Sequence, residues 1–483
     1  MDRDPLRGRR WGAPAAVVAL TLLATALRLH RLTFQSLWFD ELFGVVFSHP
    51  ERSLAEIVAI YATDFHPLLY PLLLHAWMEL LGATELAARL LSALAGIASI
   101  PAMYGLGWAL GGRGVGLAAA LLTAVNPFHV AYSQEARSYT LLFLFAALSF
   151  AALLRLVARP RPATLAAYVL AAGLALHTHY YGLVLAGAQL SAAAAVILWR
   201  RRAWRALAPL AAAAAALALL CLPWLRPLLR AAATTDYWPP HPGPAFAARY
   251  FHLYFGAEPW LTALHALLLL ALPVLLLRRR PESSPAHPLP VPYAASLLAA
   301  AVVLGLAAPY AWSLVRTPIL LPRCTIVLLP ALLGLVALAV GKLPGAGLRG
   351  AGLAAVLVGS LLHLFAGGYY RTIRNEQWRE AARWAARHPH YHHPRDRFVA
   401  ALAPAFQFYF DQDAVGVAVE PATAEVLREA LAQRAAGGGV WFLETPLGRR
   451  GDAEFQHLLS TRFHKVAERR FHGALSEYWV PRE

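Results

Sequence analysis

Runs of roughly twenty residues with few or no charges recur through the first three quarters of this chain. They limit what it can fold into more than any other feature. Wound as a helix, a stretch of that length crosses the roughly 30 Å hydrocarbon core of a bilayer. The predicted spans are 12–30, 85–109, 114–128, 139–157, 163–178, 180–199, 206–224, 261–277, 291–311, 322–341 and 349–367, about eleven in all. The composition agrees: 59% of the residues are hydrophobic and 14% charged, where a soluble chain carries about 25% charged. The first run follows Arg3, Arg7, Arg9 and Arg10 as a signal peptide would. It continues through Arg28 and Arg31 with no small-x-small cleavage pattern, so it reads as a retained span.

A net charge of +16 would suggest nucleic acid in a soluble protein. Here the basic residues fall in short loops, as the positive-inside rule requires, and no nucleic-acid partner is expected. With the N-terminus in the cytoplasm, Arg113, the group Arg155, Arg159 and Arg161, the group Arg200, Arg201, Arg202 and Arg205, the group Arg278, Arg279 and Arg280, and Lys342 with Arg349 share one side. Counting "HPLLYPLLLHAWMELLG" (66–82) as a span would reverse that pattern. It is short and carries Pro67, Pro71, His75 and Glu79, so it is expected to lie at the interface or re-enter. It belongs to an outer loop of about 31–84 holding two or three membrane-hugging helices. Cys221 and Cys324 sit in or beside apolar runs and suggest no disulfide framework.

Beyond residue 370 the chain turns polar. "NEQWREAARWAARH" and "ATAEVLREALAQRAA" have helical periodicity, while "RFVAALAPAF" and "GGVWFLET" read as buried strands. The expectation is an all-α transmembrane bundle over 1–369 and a small α/β domain over 370–483 on the extracytoplasmic side.

On this topology, polar groups that are costly at a membrane boundary gather at the outer face. They are Asp40 and Glu41 in "QSLWFDELFGV"; His66, after Asp64, in "DFHPLLY"; Glu135 and Arg137 in "NPFHVAYSQEARSY"; His177 and His179 in "HTHYYG"; and Arg323 in "LPRC". Each alone admits a plainer reading, as a helix end, a local ion pair, an interfacial histidine or a snorkelling arginine. Together they suit chemistry on a lipid-borne phosphate: a carboxylate as general base toward a hydroxyl, and arginines with histidines around the phosphate. There is no GxxxxGK[ST] loop for nucleotide hydrolysis. "DQD" (411–413) has the letters of a metal-binding DxD but sits in a polar domain, where a surface reading is preferred. "HPHYHHP" (388–394) reads as a linker in preference to a metal site.

The segments "SLWFDELFGVVFS", "DFHPLLYPLLLHAWMELLG", "AVNPFHVAYSQEARSYTLLFLFAALSF", "HTHYYGLVLAGAQL" and "LPRCTIVLLPALLG" follow one another in a familiar order. In that order and spacing the chain resembles bacterial dolichyl-phosphate-mannose-mannosyltransferase-like proteins. These are integral-membrane glycosyltransferases of the GT-C superfamily, related to protein O-mannosyltransferases, the lipid A aminoarabinose transferase and lipopolysaccharide galacturonosyltransferases. The resemblance covers residues 10 to about 370.

The resemblance implies an inverting hexosyl or pentosyl transfer in a bacterial plasma membrane. The sugar would come from a polyprenyl-phosphate donor and go to a cell-envelope acceptor, with membrane lipids as surroundings. It implies Asp40 as general base with Glu41 as the alternate. Arg137, Arg323 and His66 would stand near the donor phosphate, and Glu135, Tyr139, His179, Tyr180 and Tyr70 near the substrates. A divalent cation is an option in such proteins. Asp64, His66 and His179 could supply ligands for one, although their spacing is no metal signature. Leu68 replaces a usual proline and Cys324 a usual tyrosine. A transporter, flippase or ligase of lipid-linked glycans is the alternative class. A transporter would favour midplane charges and internal repeats, which the sequence lacks.

Overall fold

The computed structural model describes residues 12–482 except 65, 235–238, 278–288, 389–392, 434, 436 and 446–450. Arg278, Arg279 and Arg280 of the predicted basic set lie outside the described residues, as does most of the 388–394 histidine run. The chain separates into two compact units. Of the described residues, those within 12–30, 53–73 and 89–370 make up the first, and those within 31–52, 74–88 and 371–482 the second.

The first unit is a helical bundle. By length and composition, nine described helices can cross a membrane, or ten if the bent pair Arg113–Val125 and Pro127–Ser133 is one span. The remaining predicted span is helix Pro162–Thr178, whose 17 residues place it among the shorter apolar helices. Segment 66–82 yields helix Leu69–Leu81. Its 13 residues extend only about 20 Å, too short for the hydrocarbon core. With Phe39–Phe47 and Leu54–Tyr61 it makes the three short helices of the first long loop. Small residues set the closest approaches. A Cβ on Gly107 would lie 2.7 Å from Val115 O, and one on Gly182 2.4 Å from Ala175 C. The second approach closes the two-residue turn between Pro162–Thr178 and Tyr181–Arg201.

The bend in the 113–133 region follows from local chemistry. Pro127 cannot continue the hydrogen-bond ladder and forces Asn126 into an extended backbone, with φ −62° and ψ 118°. Asn126 Oδ1 then accepts from His129 N at 2.9 Å and caps the next helix, which departs at 59°. The break leaves the last carbonyls of the preceding helix without intrahelical donors. Arg28, fully buried on helix Gly12–Leu29, supplies them. Its guanidinium donates to Thr123 O (3.1 Å), Ala124 O (3.0 Å) and His129 Nδ1 (2.7 Å). In return Gln134, just past the bend, donates to Arg28 O (2.9 Å) and His30 O (2.8 Å) at the end of the first helix.

The second unit contains a five-stranded sheet in the order β2-β1-β3-β5-β4, with β1 Arg397–Ala400, β2 Val419–Pro421, β3 Val440–Glu444, β4 Phe463–Phe471 and β5 Ala474–Pro481. Strands β1, β2 and β3 are parallel, and β5 pairs antiparallel with β3 and β4. Helices Trp378–Ala386 and Ala424–Ala432 match the predicted periodicity. The expected strand over 397–406 ends at Ala400, because Pro404 starts helix Ala403–Gln412. Asp413 of the "DQD" triplet is held by a two-pronged pair with Arg383 (2.7 and 2.8 Å), and Asp411 accepts from Gln407 (2.7 Å). The triplet therefore serves local side-chain bonding.

Two predictions follow from these contacts. Replacing Arg28 by leucine strands two buried carbonyls and is expected to cost about 3 kcal/mol, measurable by denaturant titration in detergent. The hydrogen bonds from Arg383, working against burial, hold the Asp413 carboxyl below its ordinary value. A depressed pKa stabilises the fold above the unfolded value, near pH 4, and that contribution fades as pH falls through the folded value. Asp413→Asn should therefore lower the second unit's stability at neutral pH by about 1 kcal/mol and flatten the acid limb of its pH–stability curve.

Candidate active site in the helical bundle

Four connections of the first unit bring several of the predicted residues together, Asp40 and Glu41 not among them. The connections are the stretch after helix Leu54–Tyr61, the link between Pro127–Ser133 and Tyr139–Ala158, the turn after Pro162–Thr178, and the approach to Cys324–Leu328. His66 is the hub. Its Nε2 lies 3.0 Å from Arg137 Nη2 and its Nδ1 2.8 Å from Asp64 Oδ2. A guanidinium can only donate, so Nε2 accepts and the ring proton sits on Nδ1, facing Asp64. The carboxylate thus fixes the tautomer of a histidine that in turn orients an arginine.

Arg137 is buried. Its carbonyl accepts from Ser92 Oγ (2.8 Å), which lies 3.2 Å from Tyr70 Oη. Tyr70 therefore reaches the site through Ser92, a residue with no signal in the sequence. The Arg137 guanidinium carbon stands 5.9 Å from the Tyr139 ring centre. Glu135 is half-buried, and its carbonyl accepts from Arg137 N at 2.8 Å.

The His179 ring sits 5.7 Å from that of His66, edge to face, and 6.2 Å from that of Tyr139. Its Nδ1 accepts from Tyr181 N (3.1 Å), leaving the Nε2 proton toward Cys324 Sγ at 3.7 Å. The cysteine that departs from the family pattern is therefore a direct neighbour of a predicted site residue. Burial, followed by the neighbouring His66 ring and the Arg137 and Arg323 guanidiniums, holds the His179 imidazole neutral, well below its ordinary value. Those contributions place Arg323 in the same electropositive neighbourhood. Tyr180 stands at the start of helix Tyr181–Arg201. Its buried hydroxyl has no hydrogen-bond partner among the described residues.

The donor set does not fit a divalent cation. Both His66 nitrogens are engaged, one by a guanidinium that would repel a metal, and His179 Nδ1 accepts from the backbone. Among the described residues no group of three or more His, Cys, Asp or Glu side chains is placed to hold a metal.

Asp40 and Glu41 belong to the second unit. Helix Phe39–Phe47 begins at Trp38, whose N–H donates to Glu41 Oε2 at 3.1 Å. Glu41 is fully buried and caps its own helix, while Asp40, one residue earlier, is half-buried. The two adjacent acids thus differ in environment.

Residues 65–225 match the family model described as dolichyl-phosphate-mannose-protein mannosyltransferase. No curated protein is significantly similar in sequence. Among solved structures, ArnT from Cupriavidus metallidurans in the apo state superposes with a TM-score of 0.59 at 16% identity, over 97% of this chain and 98% of that one. The same protein bound to undecaprenyl phosphate gives 0.57 at 15% identity, over the same shares of each chain. The Archaeoglobus fulgidus oligosaccharyltransferase in its apo form gives 0.52 at 12% identity, over 91% of this chain and 70% of that one.

The two histidines should be distinguishable. In ¹⁵N-histidine-labelled protein, His66 is expected protonated at Nδ1 and His179 at Nε2. Identical tautomers at the two positions would contradict the hydrogen-bond assignment. Over nearly its whole length the chain thus has the fold of these solved structures, with nine described helices long and apolar enough to cross a membrane, and its residues 65–225 match the mannosyltransferase family model.

Proposed function

We propose that the chain is an inverting glycosyltransferase that moves a sugar from a polyprenyl-phosphate donor to a cell-envelope acceptor at the outer face of a bacterial plasma membrane. The observation that carries this reading is the Asp64–His66–Arg137 relay, with Arg323 and His179 beside it, on the connections between apolar helices. A phosphate on a long hydrocarbon chain needs cationic donors at the polar end of an apolar bundle, and Arg137 offers a planar fork for it. The family match and the ArnT structure with undecaprenyl phosphate support the same ligand class. The basic loops support a cytoplasmic N-terminus.

In this reading the acceptor oxygen attacks the anomeric carbon while its proton passes to Asp40, the base assigned from the first-loop motif. The bond from that carbon to the phosphate oxygen breaks, and its electron pair leaves with the polyprenyl phosphate. Arg137 and Arg323 stabilise the charge that grows there. With both ring nitrogens occupied, His66 acts through Arg137 by aiming its guanidinium. Glu41, occupied in capping, is the structural member of the acidic pair. Tyr139, Glu135, Tyr180 and Tyr70 shape the surroundings of the donor and acceptor.

The test uses purified protein in lipid, a panel of labelled polyprenyl-phosphate and polyprenyl-diphosphate sugars, and an envelope extract as acceptor. Wild type should consume a monophosphate donor. Asp40→Asn should lose about 10³-fold or more in kcat while still binding donor. Arg137→Gln should lose about 10²–10³-fold. Consumption of diphosphate donors alone would assign the chain to a ligase class. Full activity in Asp40→Asn would remove that residue as base.

A further inference from the structure

The second unit contains an ion-pair and hydrogen-bond network centred on Arg379, near the start of helix Trp378–Ala386. The guanidinium donates to Thr33 O and Phe34 O (3.0 Å each), to Glu85 Oε2 (2.5 Å) and to Glu380 Oε1 (2.8 and 3.1 Å). Glu85 Oε1 accepts from Tyr409 Oη (3.0 Å) and from Leu37 N (3.3 Å), and Tyr409 Oη accepts from Leu37 N at 2.8 Å. Glu380 Oε2 accepts from Ser36 Oγ (2.6 Å). Gln35 Oε1 accepts from Arg374 N and Asn375 N (2.7 and 2.9 Å), and Asn375 Nδ2 donates to Ser36 O (3.0 Å). Every residue from Thr33 to Leu37 is therefore held by a group from Glu85 or from beyond residue 373. The next residue, Trp38, is fixed by Glu41, and Asp40 follows in the first turn of that helix. Helix Ala403–Gln412 packs against the same short helix.

Two further observations argue for a dedicated device. Arg379 and Glu85 are both buried. Burying such charges is costly unless each is paired and hydrogen-bonded, and a hydrophobic replacement would often be as stable. Burial alone would raise the Glu380 carboxyl, but the Ser36 hydroxyl and the Arg379 charge overcome it and hold it below its ordinary value. The network meets five consecutive residues: it donates to the carbonyls of Thr33, Phe34 and Ser36, accepts from the Leu37 N–H, and holds Gln35 by its side chain.

We infer that Arg379, with Glu85, Glu380 and Tyr409, is a positioning device that orders the 33–38 backbone and so sets the aim of the Asp40 carboxylate. The C-terminal unit thereby acts in transfer through the geometry of the general base. The inference rests on the proposed role of Asp40. Arg379 touches no reacting atom in this scheme and is a positioning residue.

The test compares Arg379→Gln, Arg379→Lys and the milder Ser36→Ala with wild type in the full-length protein in lipid. Amide hydrogen exchange over residues 33–42 and transfer kinetics are followed in each. In Arg379→Gln exchange should speed up in that stretch while β1 and β3 stay protected. The kcat should fall about a hundredfold with donor KM unchanged. Lysine keeps the charge opposite Glu85 but lacks the planar fork for two carbonyls, so Arg379→Lys should restore part of kcat. Ser36→Ala should show the same exchange signature, weaker, in a protein that folds normally.

Unchanged exchange and unchanged kcat in Arg379→Gln would overturn the proposal. So would faster exchange spread evenly over the sheet, which marks general destabilisation, or a loss confined to donor KM. If wild type transfers no sugar, the glycosyltransferase reading fails by itself. Exchange over 33–42 then still reports whether Arg379 orders the loop, and unaltered exchange would again sink the inference.

Discussion

The fully buried guanidinium of Arg28 is the contact on which the helical unit depends. A bilayer offers no water to a broken helix, so every carbonyl released at a bend must find a donor from the protein. Pro127 makes the break, Asn126 caps the outgoing helix, and Arg28 supplies the orphaned carbonyls of the incoming one. The 59° turn is what carries the following residues, Glu135 to Tyr139, to the end of the bundle where the site residues gather. An arginine in a membrane helix invites a functional reading. Here its geometry gives it architectural work, and Gln134 returns the favour at the end of the first helix.

Around His66 the same economy recurs. One carboxylate, one imidazole and one guanidinium form a line in which each group settles the orientation of the next. His179, held neutral beside them, adds a polar surface without adding charge, which limits repulsion among the cations. The second unit uses a comparable line, Glu85 to Arg379 to the 33–34 carbonyls, for a stretch of backbone. Carboxylates named from the sequence as chemical candidates differ in what they do: some orient a neighbour, and one is proposed as a base. Asp64 and Glu41 do the former, and Asp40 is proposed for the latter.

Much of the bundle was legible in order and type because hydrophobic length is a one-dimensional property. The runs became helices at nearly the expected limits, and the short, proline-bearing 66–82 segment became a helix too short to span. Boundaries slipped where chemistry intervened. The 114–128 run breaks at Asn126, and the 397–406 strand ends early at a proline-initiated helix. The hairpin of β4 and β5 was not anticipated, since its outward face is charged and carries little alternation of apolar residues.

The sequence by itself determined that the chain enters a membrane, where its spans lie, and which polar residues stand at their ends, because these follow from local length, charge and motif spacing. Only the tertiary structure decided what those residues do to one another. That His66 accepts from Arg137, that Ser92 links Tyr70 to the same arginine, and that Arg379 reaches back over more than three hundred residues to the 33–34 backbone are matters of long-range packing. Arg379 looks in sequence like any solvated arginine of an amphipathic helix. Its partners are hydrogen-bond acceptors whose positions exist only once the chain has folded, and no local pattern encodes them.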